Sequence, residues 1–219
     1  IVLGQGQIGY RELLLKIEST RPDIIFYPSL GMSPHWVAMS TIRLAPIQIM
    51  ALGHPATSLS ENIDYVLTSE TLPGDPSTLR ETAFLISGNQ TMVTRDDADF
   101  PGPVIRNRPD VLRIAVPSMV AKLNAPFLTV CQNLTRLSHR KLEFHFFPSV
   151  VGVWHHVTTL EIRRWLPEAF VYPSDDYNRY LRNLAQCDIH LSTFPFGGTN
   201  TNMDTKKLCI DEGEKAWAV

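Results

Sequence analysis

Four short apolar runs in the second half of the chain, at residues 111–117, 142–147, 170–172 and 187–193, alternate with stretches of helical apolar spacing. Phe127, Leu128, Cys131, Leu134 and Leu137 recur at helical steps. So do the apolar residues of 160–166, and Tyr177, Tyr180, Leu181 and Leu184. The last run, ending in Thr193, has the look of a buried parallel strand. Helices between such strands imply βαβ units with right-handed crossovers. The second half is therefore expected to be a Rossmann-like parallel sheet.

The first half shows the same alternation less clearly. Leu13, Leu14 and Ile17 predict a helix beginning after Gly9, and residues 24–27 read as a short buried strand. Residues 36–44 carry helical spacing that Pro46 stops, and strands are expected at 47–52 and 63–67. Residues 79–88 are less regular. Between 96 and 110 the composition turns to acidic residues, Pro and Gly, the best place for a domain boundary. The expected division is a first Rossmann-like domain over residues 1–107 and a second over 108–219. The chain opens at Ile1, already strand-like and without an initiator Met, and reads as a fragment incomplete at both ends.

Composition narrows the function. With a formal charge of −2 the chain lacks the basic excess of a nucleic-acid binder, and no nucleic-acid partner is expected. No apolar run approaches about 18 residues, so no membrane span or secretory leader is expected. The three cysteines, Cys131, Cys187 and Cys209, have no metal-ligand spacing, and an odd count does not make a disulfide framework. Cys131 and Cys187 fall in apolar patterns and read as core residues in a reducing, cytoplasmic chain. His155 and His156 are adjacent and diverge on any regular element, and no metal site is expected. His145, between Phe144 and Phe146, reads as structural. Asn133-Leu134-Thr135 fits a glycosylation acceptor by chance.

The chemistry concentrates after the fourth run. Phe194-Pro195-Phe196 turns a corner into Gly197, Gly198, Thr199, Asn200, Thr201 and Asn202. Two glycines followed by short polar side chains expose backbone N–H groups and start a helix, whose N-terminus favours phosphate. This corner is expected to hold the diphosphate of a sugar nucleotide. Asp204, about one turn further on, suits ribose hydroxyls or the helix dipole. Lys122 follows the first run by a short loop, where an ammonium reaches phosphate oxygens. His54 follows the strand at 47–52, at the carboxyl end where open α/β sheets place ligands. Gly4, Gly6 and Gly9 match G-x-G-x-x-G, but no acidic residue ends the next strand; Asp23 precedes it, which disfavours a nicotinamide or flavin site.

Three blocks resemble one family. The stretch from Arg43 and Pro46 through Gly53, His54 and Pro55 to Ser58 is similar to a segment of the HMW1C-like cytoplasmic bacterial N-glycosyltransferases, relatives of O-GlcNAc transferase. Lys122-Leu123-Asn124 resembles a second block. Pro195, Phe196 and Gly197 with Thr199, Asn200 and Asp204 resemble a third, in the family's order. The resemblance implies a GT-B architecture of two facing Rossmann-like domains. It implies transfer of a hexose, glucose by family habit, from a UDP-sugar to asparagine side chains of adhesin-like polypeptides, without metal or other cofactor. Lys122 would neutralise the departing UDP, Gly197, Gly198, Thr199 and Asn200 would hold the diphosphate, Asp204 the ribose, and His54 would line the cleft. The chain departs from the family pattern at Met119, Val150, Tyr172 and Gly198, positions the family uses against the nucleotide. A truncated remnant with weak or no UDP binding and an O-GlcNAc-transferase-like activity are the alternatives, and the chain alone is expected to turn over little.

Overall fold

The computed structural model describes residues 9–51, 56–69, 75–86, 98–102, 104, 110–208 and 210. Two compact units form, Ile1–Gln90 and Thr91–Val219. The glycine fingerprint's Gly4 and Gly6, as well as His54 and Cys209, lie outside the described residues.

In the first unit, α1 (Tyr10–Thr20) precedes β1 (Ile24–Tyr27), and α2 (Pro34–Ser40) connects it to β2 (Ile47–Ala51). β3 (Tyr65–Ser69) and β4 (Thr82–Ile86) follow, and the four strands pair in parallel in the order β1-β2-β3-β4. Ile17 of α1 and Met39 of α2 close over Tyr27, Met50 and Val66 on one face of the sheet. Each such side chain removed from water contributes about 1.5–3 kcal/mol. The strand ends are fixed by Gln48, fully buried, whose amide donates to Ile42 O and Asn62 O and accepts from Leu44 N–H. Asp64 accepts from Gln48 N–H at 2.8 Å and meets Arg43 in a two-point ion pair.

In the second unit, β5 (Val111–Val116), α3 (Ala125–Leu137), β6 (Lys141–Phe146), α4 (Gly152–Trp165), β7 (Phe170–Val171), α5 (Tyr177–Leu184), β8 (Ile189–His190) and α6 (Thr199–Lys207) alternate. All pairings are parallel, in the order β7-β6-β5-β8. The chain thus winds outward from β5 through β6 to β7, then returns to lay β8 on β5's other side. Ile114, Val116, Phe144 and Phe146 meet α3 and α4 through Phe127, Cys131 and Ile162. Ala115 and Phe147, on the reverse face, meet Leu181 and Leu184 of α5 and Leu208. Cys131 and Cys187 are buried, and burial pushes the Cys131 thiol up to about 12.

Several boundaries differ from expectation. β3 begins two residues later than expected, and β4 occupies part of the stretch read as irregular. β1 is only half buried: Ile24 and Phe26 are exposed and Tyr27 is buried. α4 begins at Gly152, eight residues before the expected helix. Its first turns, rich in Val, Thr and His, have low helix propensity and expose Val153 and Trp154, which hides the helical stripe. β8 pairs over two residues only, Ile189 and His190, before the chain leaves the sheet. Among the described residues, no helix is long and apolar enough to cross a membrane.

Candidate nucleotide site

β5 and β8 are adjacent parallel strands; α3, which follows β5, packs on one face of the sheet, and α6, which follows β8, ends in its C-cap Leu208 on the other. That makes the crevice beyond their carboxyl ends a topological switch point, the place where open α/β sheets bind ligands. The loop after β5 carries Lys122 and Asn124; the loop after β8 carries Phe194, Gly197 and Gly198. Sequence reasoning selected both loops, and the fold brings them together.

Three contacts join them. Lys122 Nζ donates to Gly197 O at 2.6 Å. Asn124 Nδ2 donates to Phe194 O at 2.8 Å, while its Oδ1 caps α3 by accepting from Phe127 N–H. The hydroxyls of Ser118 and Thr193 are 3.0 Å apart and buried, and Thr193 also donates to Phe196 O at 2.7 Å. Asn124, Ser118 and Thr193 join the site through these contacts. Asn124 had a readable signal, an Asn just before Ala-Pro where a helix begins. The hydroxyl pair is a long-range contact with no sequence mark.

Neighbouring hydroxyls crowd both glycines. A Cβ on Gly197 would stand 2.9 Å from Ser192 Oγ, and one on Gly198 would collide with Thr201 Oγ1. Gly198 is the N-cap of α6 and makes no side-chain cap. Its carbonyl accepts from Asn202 N–H at 2.9 Å and from Thr201 Oγ1 at 3.0 Å. The N–H groups of an α-helix's first turn have no partner inside the helix, so those of Thr199, Asn200 and Thr201 lie at the mouth of the crevice. Lys122 stands beside them, and among the described residues its ammonium meets a carbonyl and no carboxylate. The arrangement presents a positive helix end and one lysine to an anion.

Asp204 lies behind that opening and is buried. Tyr177 donates to its Oδ1 at 2.5 Å. Burial raises its carboxyl above the usual range, against the opposing influence of Tyr177, Tyr180 and Lys207. The Tyr180 hydroxyl is buried without a partner of ordinary hydrogen-bond geometry. His190 of β8 is buried beneath α6, within 3.3 Å of Thr205 Oγ1, and burial lowers its imidazole to about 4. His145 is also enclosed, stacked on Phe170 and bonded to Tyr172. Among the described residues, no group of three His, Cys, Asp or Glu side chains could hold a metal.

In the first unit a small cleft opens beside the carboxyl ends of β1 and β2, between Leu30, Val37, Met50 and Thr57. Its outer wall, Thr57 and Ser58, is gripped by the buried carboxylate of Glu81. That carboxylate accepts from Thr57 Oγ1 and Ser58 N–H at 2.8 Å, and also from Ser58 Oγ. Burial alone would raise Glu81, but these hydrogen bonds outweigh it and hold the carboxyl below its ordinary value.

The parallel sheets and the β5/β8 switch point define an open α/β fold, and the comparisons say which one. Thermobaculum terrenum O-GlcNAc transferase, in a mutant form, superposes with a TM-score of 0.72 and 16% identity over 93% of this chain and 40% of its own. The expected GT-B type α/β class is thereby borne out. In sequence, the UDP-glucose:protein N-beta-glucosyltransferases of Actinobacillus pleuropneumoniae serotypes 7 and 5b are each 32% identical over 198 residues, 87% of this chain. The resemblance to the HMW1C-like N-glycosyltransferases holds, and the chain is their relative over most of its length. It spans about a third of each of those enzymes. No family model matches the chain.

Proposed function

We propose that the chain is the donor-binding part of a protein glycosyltransferase, moving a hexose, glucose in the first instance, from a UDP-sugar to asparagine side chains of adhesin-like polypeptides. The names of the two Actinobacillus relatives support the donor and the protein acceptor. The observation that carries the reading is the Lys122–Gly197 contact at the switch point.

The diphosphate sits against the N-terminus of α6, on the N–H groups of Thr199 and Asn200. Gly197 and Gly198 let the backbone approach it. An ammonium has three donors, and Gly197 O takes one, leaving two for phosphate oxygens. The bond from C1 of the sugar to the β-phosphate oxygen breaks, and a bond from C1 to the asparagine amide nitrogen forms as that nitrogen loses a proton to solvent. UDP leaves with the negative charge that Lys122 and the helix end stabilise, the electrostatic assistance such a step needs without a metal. Asp204 takes ribose hydroxyls with the carboxylate it shares with Tyr177. We assign the protein to the cytoplasm, a reading supported by the free, buried Cys131.

The burial of Asp204 favours one alternative, a non-catalytic remnant with weak or no UDP binding. Calorimetry with UDP decides between them: micromolar binding supports a working donor site, and no heat supports the remnant. Incubation with UDP-glucose and an Asn-x-Thr peptide, against UDP-GlcNAc and a serine peptide, separates asparagine transfer from an O-GlcNAc-transferase-like activity.

A further inference from the structure

One face of the first unit's sheet is largely apolar and, among the described residues, open to solvent except at half-buried Ile49, Ala51 and Leu67 and buried Ser69. Parallel pairing sets Ile24 beside Ile47 and Leu67 beside Phe84, and the two-residue alternation carries Ile24, Phe26, Ile47, Tyr65, Phe84 and Ile86 to the same side. These six are 38–58% exposed, whereas Tyr27, Met50 and Val66 at the centre of the opposite face are no more than 3% exposed, although Leu85 of the edge strand β4 on that face is 54% exposed. None of the six is charged. Both helices described in this unit, α1 and α2, bury Ile17 and Met39 against the Met50 side. The connections from β2 to β3 and from β3 to β4 hold no described helix beyond one turn of 3-10 helix at Pro76–Thr78.

We propose that this face is an internal docking surface, covered by two short amphipathic helices from polypeptide outside these 219 residues in the same protein. Topology chooses the kind of occupant. All-parallel sheets occur almost only with helices on both faces, so a second copy setting sheet upon sheet fits this surface poorly. Dimensions set the number. Four strands at about 4.8 Å span about 14 Å between the outer axes, room for two helices at 8–10 Å spacing. Strands of five residues are about 17 Å long, which a helix of about 11 residues matches. A source exists on the scale required, because roughly two thirds of each Actinobacillus relative lies outside the matched part. The inference stands whether or not the second unit binds UDP.

The test uses this chain, the dye ANS and an idealised Leu/Lys amphipathic helical peptide of about 14 residues. The chain is expected to enhance ANS fluorescence and to bind the peptide. Phe84→Lys combined with Ile24→Lys should at least halve the dye signal and weaken the peptide at least tenfold, with the urea midpoint unchanged. If the lysines unfold the chain, Phe84→Thr with Ile24→Thr carries the same readout. A chain that neither enhances ANS nor binds the peptide overturns the proposal. So does a dimer in sedimentation velocity that Phe84→Lys dissociates, which would give the face to a second copy.

Discussion

The ammonium of Lys122 lies 2.6 Å from the carbonyl oxygen of Gly197, tying the loop after β5 to the loop after β8. The two residues are 75 positions apart. Their contact preorganises the charge at the helix end, since the lysine does not have to be recruited from solvent when an anion arrives.

Gly198 should tolerate no side chain while Thr201 keeps its hydroxyl. Gly198→Ala places a methyl against Thr201 Oγ1, and overpacking of this kind costs about 1–3 kcal/mol. The double variant Gly198→Ala with Thr201→Ala should recover most of that loss. Urea unfolding of the four proteins in the cycle measures the coupling; additive losses would show that the clash is not what excludes a side chain.

Glu81 should act as the clamp on the Thr57–Ser58 wall. Its folded pKa lies below the unfolded one, so its stabilisation is complete above the unfolded value and fades as pH falls through the folded value. Glu81→Gln loses hydrogen bonds to a charged acceptor and should cost about 1–3 kcal/mol near neutrality. The difference from the parent chain should shrink in acid, as read from unfolding midpoints along a pH series.

His190 sets a second acid window, of the same sign and from a different cause. Burial lowers its pKa to about 4, while the unfolded chain titrates near 6.5. Below about 6.5 the unfolded state takes up a proton that the folded state refuses, so stability falls as pH drops toward 4. The difference corresponds to at most about 3 kcal/mol. His190→Asn should flatten the stability curve across that window, and an NMR titration of the imidazole reads its pKa directly.

What the sequence disclosed follows from the range of the interactions involved. The strands at 111–116 and 141–146 and the helix carrying Phe127 and Cys131 are marked by local periodicity, and they formed where the pattern placed them. The Gly197–Gly198 corner opening α6 was legible because two glycines followed by short polar residues mark a tight turn into a helix N-terminus. α4 was half hidden because its first turns present Val and Trp to solvent, breaking the amphipathic signal. The Ser118–Thr193 pair and the seating of Asp204 under Tyr177 arise only when β8 returns beside β5, a tertiary event without a local signature. Residues 24–27 read as buried because they are all apolar, yet one of their faces has no described cover.

The central claim is a diphosphate site built on Lys122 and the start of α6. The most direct measurement is calorimetric titration of UDP into the chain and its Lys122→Ala variant at fixed ionic strength. The account predicts that the parent binds UDP and that the variant binds at least tenfold more weakly, about 1.4 kcal/mol, with an unchanged unfolding midpoint. Equal affinity in the two proteins would contradict it.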